Sequence, residues 1–151
     1  MRRGCLALCF LLTTPAPPAA AQTLPAAEAL VRAQYGPGVS DTPEGALRLY
    51  EPRLAHELTE SSTAAGGDFG FDLRYGDSDW QVQDMTFTAT RTPQGAMVAV
   101  RFRNFGRPME IDWRLIPDPA GAPGWRVSDI SAPEQNGQMG WDLRQLVLID
   151  P

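Results

Sequence analysis

Side chains that could serve as nucleophiles or metal ligands are scarce in this sequence. His56 is the only histidine, and the only cysteines, Cys5 and Cys9, stand close to the start of the chain. A catalytic serine would have to lie beside His56, and the G-x-S-x-G pattern of a nucleophile elbow does not occur. Nucleophilic and metal mechanisms need several cooperating groups. The inventory therefore excludes a histidine-rich zinc site and favours His56 as a partly exposed helix residue.

Aspartates cluster between the predicted helices and the predicted strands. Asp77 and Asp79 flank a serine, and further aspartates lie on both sides of them. Calcium prefers several oxygen ligands, but the twelve-residue loop with its central glycine and closing glutamate is missing. Arg74 also stands among these acids. We therefore interpret the cluster as a solvated acidic loop and predict neither a metal site nor a cofactor.

A third group of chemical interest is formed by charged residues at alternating positions of two neighbouring predicted strands. They are Arg101, Arg103 and Arg107 at one strand or its end, and Glu110, Asp112 and Arg114 on the next. Opposite charges across an antiparallel pair contribute roughly 0.2–1 kcal/mol each, which makes a solvated charge ladder one interpretation. The other is a docking surface in which the arginines and Trp113 or Trp125 act as anchors.

The strands that position these charges are predicted from apolar alternation. Three runs between Gly95 and Ala132, each closed by turn residues, indicate consecutive antiparallel strands. A first strand is predicted over 81–92, with Met85, Phe87 and Ala89 facing inward. Asp129 before an isoleucine breaks the alternation and indicates a bulge.

Helical patterns precede the strands. The first begins near Pro25 and carries one apolar face, formed by Ala27, Leu30, Val31 and Tyr35. The second is predicted to begin at the cap Thr42, followed by Pro43 and Glu44, and to kink or divide at Pro52.

The remaining segments are predicted to connect and close the domain. We expect a flexible connection over 61–67 and an aromatic loop over 68–80 that packs under the rim of the sheet. Leu143, Leu146 and Val147 indicate a short closing helix, although 147–149 also fits a strand. The whole order predicts an α+β domain, with a curved antiparallel sheet of about four strands and N-terminal helices packed on one face.

The first 21 residues have the pattern of a secretory signal. A basic start is followed by a short apolar run, 4–12, and by an A-x-A cleavage site at 19–21. The apolar run is far shorter than the roughly 20 residues of a transmembrane helix. Lipidation at Cys9 is disfavoured because a bulky leucine precedes it. We predict cleavage near Ala21, one domain over 22–151 and a periplasmic or secreted location, with no transmembrane segment.

The charge of the predicted mature chain limits its partners. All 13 basic residues are arginines, and loss of the leader leaves 11 of them against 18 acidic residues, a net charge of −7. Such an acidic chain argues against nucleic acid or anionic lipid as a partner. The mature chain also lacks cysteine, so its core must hold the fold without disulfides.

Several short motifs resemble a known bacterial family. They are DFGFD at 68–72, DW at 79–80, VAV at 98–100 and GWRVSDI at 124–130. The chain resembles, on these motifs, the domain-of-unknown-function family 3828 within the cystatin-like, nuclear-transport-factor-2-like superfamily. The resemblance implies a cone in which helices cap a curved sheet around a cavity, and it implies no established activity.

Some members of that superfamily, such as ketosteroid isomerases, place an aspartate base and a tyrosine donor in the cavity. The corresponding candidates here are Asp84 with Tyr35 or Tyr50. The simpler interpretation is that the tyrosines anchor helices on the core and that Asp84 marks a bulge.

We therefore expect an exported, non-catalytic binding or accessory module with an unidentified protein or small-ligand partner, and a homodimer is an open alternative. The competing hypotheses are a small-molecule-binding protein or carboxylate enzyme that uses the cavity, and an immunity or inhibitor protein. A cavity filled by Phe and Trp side chains would favour the module, and a deep one with unpaired polar groups would favour the enzyme.

Overall fold

The computed structural model describes residues 22–39, 47–65, 70–121, 124–135 and 137–148. Its elements, in chain order, are α1 (Leu24–Ala33), a 3₁₀ helix (Leu47–Leu49), α2 (Pro52–Ala65), β1 (Val82–Thr92), β2 (Gly95–Asn104), β3 (Arg107–Pro117), β4 (Trp125–Ala132), β5 (Trp141–Asp142) and α3 (Leu143–Leu148). The predicted leader and the predicted cap at Thr42, Pro43 and Glu44 lie outside the described residues.

The strands form one antiparallel sheet in the order β1-β2-β3-β4-β5. This confirms the predicted α+β class and the four-strand meander, and it adds one strand. The fifth strand has only two residues, Trp141 and Asp142, which pair with Ala132 and Ser131. Two residues are too few to show an alternating pattern, so the sequence could not predict this strand.

One face of the sheet is apolar and lies under the helices. Val98, Val100, Ile111 and Trp113 are all 3% exposed or less, which confirms the predicted inward stripes of β2 and β3. The bulge predicted near Asp129 is confirmed as well. Leu115 pairs with Val127 and Arg114 with Asp129, so one extra residue lies between these partners in β4.

Helix α1 forms where the apolar face was predicted. Thr23 caps it, because its hydroxyl accepts a hydrogen bond from the amide of Ala26 at 3.2 Å. Its buried residues are Ala27, Leu30 and Val31. The carbonyl of Thr23 also accepts a bond from Nε1 of Trp125 at 3.2 Å, so the start of α1 is tied to β4.

Pro52 divides the second helical region as predicted. The 3₁₀ helix ends before Tyr50, which bridges to Val127, and the amide of Glu51 donates to the carbonyl of Val127 at 2.8 Å. α2 then begins at Pro52, where the missing amide proton costs nothing. The chain between the two helices therefore covers the outer edge of β4.

The predicted flexible connection over 61–67 is wrong for its first five residues, because α2 continues to Ala65. The Ser61 hydroxyl donates to the carbonyl of Val147 at 3.0 Å and ties α2 to α3. Small polar residues indicated a linker, but this tertiary contact keeps them helical. The C-terminal segment forms the predicted helix, α3, rather than the alternative strand. Among the described residues, no helix has the length and apolar character needed to cross a bilayer.

The position of Trp113 generates a stability prediction. Its indole is 3% exposed, and Trp113→Ala should lower the free energy of unfolding by about 3–5 kcal/mol. Trp80, which is 42% exposed, provides a matched control, and Trp80→Ala should cost about 1 kcal/mol. Urea denaturation of both variants measures the difference. Equal losses in the two variants would show that the inner face is assigned incorrectly.

Candidate functional site

Aromatic rings fill the inner face of the sheet above β1, β2 and β3. The ring of Tyr35 lies at the centre, with the rings of Tyr75, Phe87 and Trp113 at 5.6, 5.5 and 6.2 Å between centroids. All three contacts are edge-on, which is a favourable geometry for aromatic pairs. Among the described residues, side chains thus fill the space around Tyr35 on this face.

The hydroxyl of Tyr35 has its hydrogen bonds satisfied by the protein. It donates to the carbonyl of Arg74 at 2.8 Å and accepts from Nε1 of Trp113 at 3.1 Å. Burial raises the pKa of Tyr35 well above its ordinary range, because the phenolate would be desolvated. Burial also raises the pKa of Tyr50 to about 12. Both side chains serve as neutral anchors in this arrangement.

Asp84 lies on the opposite side of the sheet from these tyrosines. Asp84 and Met85 lie together opposite Phe102, so Asp84 occupies a bulge with a positive φ of 54°. Its side chain is 78% exposed and lies 3.6 Å from Nε of Arg103. The structure therefore does not bring Asp84 together with Tyr35 or Tyr50. His56 is an exposed residue of α2.

The outer charges form cross-strand contacts. Arg101 makes two hydrogen bonds to the carboxylate of Glu110, at 2.8 and 3.0 Å, and the two residues are direct partners across β2 and β3. Arg103 donates to the carbonyl of Gly106 at 3.1 Å. Trp113 does not belong to this surface, because it is buried on the core-facing side of β3 with Met109, Ile111 and Leu115. Trp125 is buried as well, at 2% exposure.

The turn between β2 and β3 carries an unusual residue. Phe105 and Gly106 occupy its two central positions with φ angles of 48° and 78°. Positive φ at both positions is the pattern of a type I′ turn, in which Asn-Gly is strongly preferred. A bulky residue in this conformation is a genuine outlier. The Phe105 side chain is nevertheless 54% exposed.

A second exposed aromatic residue lies next to this turn. The amide of Gln81 donates to Oδ1 of Asn104 at 2.8 Å, and the amide of Phe105 donates to the carbonyl of Gln81 at 3.2 Å. The preceding residue, Trp80, stacks on Tyr75 with 4.7 Å between centroids. We call Trp80, Arg103, Phe105 and Arg107 the aromatic tip. Sequence reasoning named its two arginines but missed Trp80 and Phe105, although phenylalanine in place of asparagine before the turn glycine is a visible signal.

The same end of the sheet also contains a groove of about 350 Å³. Its lining includes Phe71, Asp77, Met109, Gln138, Met139 and Trp141. The rings of Phe71 and Trp141 lie 5.1 Å apart, which confirms that the loop aromatics pack at the rim. Phe69, also predicted to do so, lies outside the described residues. The groove could accept an apolar group, since the carboxylate of Asp77 is already bonded to Ser78 and Asn104.

A buried carboxylate cluster joins β3, β4, β5 and α3. Asp129 accepts from Nη1 of Arg114 at 2.9 Å and from the amide of Arg144 at 3.3 Å. Burial, together with a hydrogen bond and charge repulsion from Asp142, raises the pKa of Asp129 to about 6. On β3, Oδ1 of Asp112 is buried without a partner among the described atoms, and burial raises its pKa too.

These carboxylates do not form a metal site in the described part of the chain, where no group of three or more histidine, cysteine or acidic residues could hold an ion. The cluster around Asp129 instead fastens the last strand and helix to the sheet. Its chemistry is the sharing of protons between neighbouring acids.

The raised pKa of Asp129 makes stability depend on pH. The folded protein holds a proton on this group up to about pH 6, whereas the ordinary pKa of an aspartate side chain is 3.8. The resulting stability is complete below about pH 4 and is lost as the pH rises through about 6. Wild type should therefore gain melting temperature from about pH 7 to about pH 5 relative to Asp129→Asn. The exposed control Asp84→Asn should follow wild type. Parallel pH profiles for wild type and Asp129→Asn would contradict this assignment.

No protein-family model, curated protein or solved structure matches the chain. The resemblance to family 3828 and to the superfamily cone therefore stays a prediction. The described residues establish an α+β domain with a five-stranded antiparallel sheet, and its function has to be argued from the aromatic tip and the surfaces around it.

Proposed function

We propose that this chain is an exported, non-catalytic binding module whose aromatic tip docks to a protein partner. The observation that carries the proposal is Phe105, an exposed phenylalanine held with φ at 48°. Folding alone gives no reason for this residue, because asparagine suits the turn better and an exposed ring buries little surface. Backbone strain of this kind, roughly 1–3 kcal/mol, concentrates at functional sites.

The composition of the tip indicates what kind of partner it fits. Tryptophan and arginine are enriched among the residues that dominate binding energy at protein interfaces. The tip offers Trp80 and Phe105 as apolar groups, with Arg103 and Arg107 beside them. The guanidinium of Arg107 forms no ion pair with any described residue, and the chain as a whole is acidic. The complementary partner presents an apolar pocket with carboxylates at its rim.

The arrangement of the inner face supports a module over an enzyme. Tyr35 is bonded on both sides and surrounded by rings, and Asp84 lies on the outer face. The rings packed around Tyr35 support a binding module over a cavity enzyme. The curved, cone-like sheet is part of the same proposal. If the chain instead bound a small molecule, the groove beside Trp141 would be the binding site. An immunity or inhibitor protein would be a special case of a docking module.

Export is part of the same proposal. Gln22, the residue directly after the proposed cleavage site, contacts the sheet. Its carbonyl accepts a hydrogen bond from Arg91 at 3.0 Å. The periplasm is oxidising, and the proposed mature chain has no cysteine that could be oxidised there.

The proposed export predicts the mass of the mature protein. Protein recovered from the periplasm should begin at or near Gln22 and carry no lipid. Intact mass spectrometry of that fraction checks both points. An acylated Cys9, or an uncleaved N-terminus in the cytoplasm, would contradict the assignment.

The proposed role of Phe105 predicts that replacing it raises stability and lowers binding. Phe105→Asn should raise the free energy of unfolding by about 1 kcal/mol, because asparagine tolerates the left-handed conformation. The same change should abolish docking. The photoreactive amino acid benzoylphenylalanine, introduced in place of Phe105 in the native host, should yield one discrete adduct. The same group in place of Gln145, an exposed residue of α3, should yield none.

Competition separates specific docking from chance contact in this experiment. Excess wild-type protein should suppress the adduct, and excess Phe105→Asn should not. Equal suppression by the two competitors would show that the tip does not carry the binding.

A further inference from the structure

The two edges of the sheet differ in how far other segments cover them. The outer edge of β4 is covered by Tyr50 and Glu51 along its first half and by β5 along its second half. β1, at the other edge, pairs only with β2 among the described residues. Alternate residues of this 11-residue strand therefore turn their amide and carbonyl groups outward, with no pairing strand among the described residues.

The middle of β1 lacks the devices that usually protect an edge strand. These devices are lysine, proline, inward-pointing charge and bulges. The bulge lies before this stretch, at Asp84, and the charged residue Arg91 lies after it. Between them, threonines face outward and Met85, Phe87 and Ala89 face inward, half-buried. Threonine and phenylalanine both favour strands, so this stretch is well suited to further pairing.

A crevice of about 270 Å³ opens beside this edge, between α1 and β1. It is lined by Leu24, Pro25, Glu28, Ala29, Arg32 and Ala89. It reaches the strand at Ala89, whose methyl group leaves room there. The larger side chains of Phe87 and Met85 lie two and four residues earlier on the same face.

We propose that this edge binds a second copy of the same chain, with the two β1 strands antiparallel about a two-fold axis near Phe87 and Thr88. Directly opposite residues of an antiparallel pair face the same side. An axis at Phe87 places Met85 of the second copy opposite Ala89, and an axis at Thr88 places Phe87 there. In either register a larger apolar residue of the same face lies opposite Ala89, beside the crevice of the other copy, while Phe87 keeps its contact with Tyr35. Threonines meet threonines on the outer side, a favourable cross-strand pairing.

The charges beside the crevice favour a second copy over a foreign strand. Glu28 and Arg32 form a 2.6 Å ion pair along α1. A two-fold axis that makes the strands antiparallel also makes the α1 helices antiparallel. With the axis at Thr88, Glu28 of each copy faces Arg32 of the other, because Arg32 lies over Phe87 and Glu28 lies beside Ala89, so the surface is complementary to itself. An extended peptide from another protein would have no charges fixed opposite Glu28 and Arg32.

This inference goes beyond the proposed docking function and is tested separately from it. Sedimentation equilibrium of the wild-type chain should show a monomer–dimer equilibrium. Ala89→Lys introduces an inward charge at the edge, and it should weaken the dimer by at least about tenfold. The matched control Ala120→Lys, on the exposed turn after β3, should leave the dimer unchanged. Circular dichroism verifies that each variant is folded, and Phe105→Asn should dimerise like wild type.

A charge exchange on α1 provides the sharper test. Glu28→Arg gives each copy two positive charges at the crevice, and Arg32→Glu gives each copy two negative ones. Each variant alone should lose association by at least about tenfold, and an equimolar mixture should restore it as a heterodimer. A wild-type monomer at all accessible concentrations, or a mixture no better than its components, would overturn the proposal. If the wild type is monomeric, the free edge of β1 would instead be open to a strand of another protein.

Discussion

The hydrogen bond between Nε1 of Trp113 and the hydroxyl of Tyr35 is the contact on which the functional end of the molecule depends. The indole belongs to the sheet, and the phenol follows α1. The same hydroxyl donates to the carbonyl of Arg74 in the aromatic loop, so one oxygen joins three parts of the chain. Because both polar groups lie in the core, the loss of either partner would leave the other unsatisfied.

The bond from the Tyr35 hydroxyl to the carbonyl of Arg74 holds the aromatic loop in position. Arg74 forms a short ion pair with Asp72, in which both side chains are less than 15% exposed, and it also donates to the carbonyl of Gln34. Tyr75, the next residue, packs edge-on against Tyr35 and carries the stacked ring of Trp80 at the surface. A continuous row of rings thus links the core to the aromatic tip. These contacts hold Trp80 in place from the core, and such rigidity would reduce the entropy lost on binding the proposed partner.

The sequence predicted the parts of the fold that repeat and missed those that depend on a single contact. Period-two alternation located the four long strands, and the bulge near Asp129 followed from its interruption. The helix through Ser61 was missed because a hydroxyl bond to a residue 86 positions away sustains it. The site was the least predictable part. Residue types offered Asp84 and Tyr35 as a catalytic pair beside the simpler interpretation of a bulge at Asp84, but they could not show that the Asp84 carboxylate is exposed next to Arg103.

The hydrogen bond from Trp125 to the carbonyl of Thr23 has a consequence for the order in which the chain folds. It joins residues 102 positions apart, and α1 is only 10 residues long. A helix of that length is marginal in water until something packs against it. The sheet can assemble hairpin by hairpin from neighbouring segments, whereas α1 has to wait for β4 before its start is secured. Among the described helices, α1 is thus the first to be synthesised, yet it gains all its contacts only after β4 has been made.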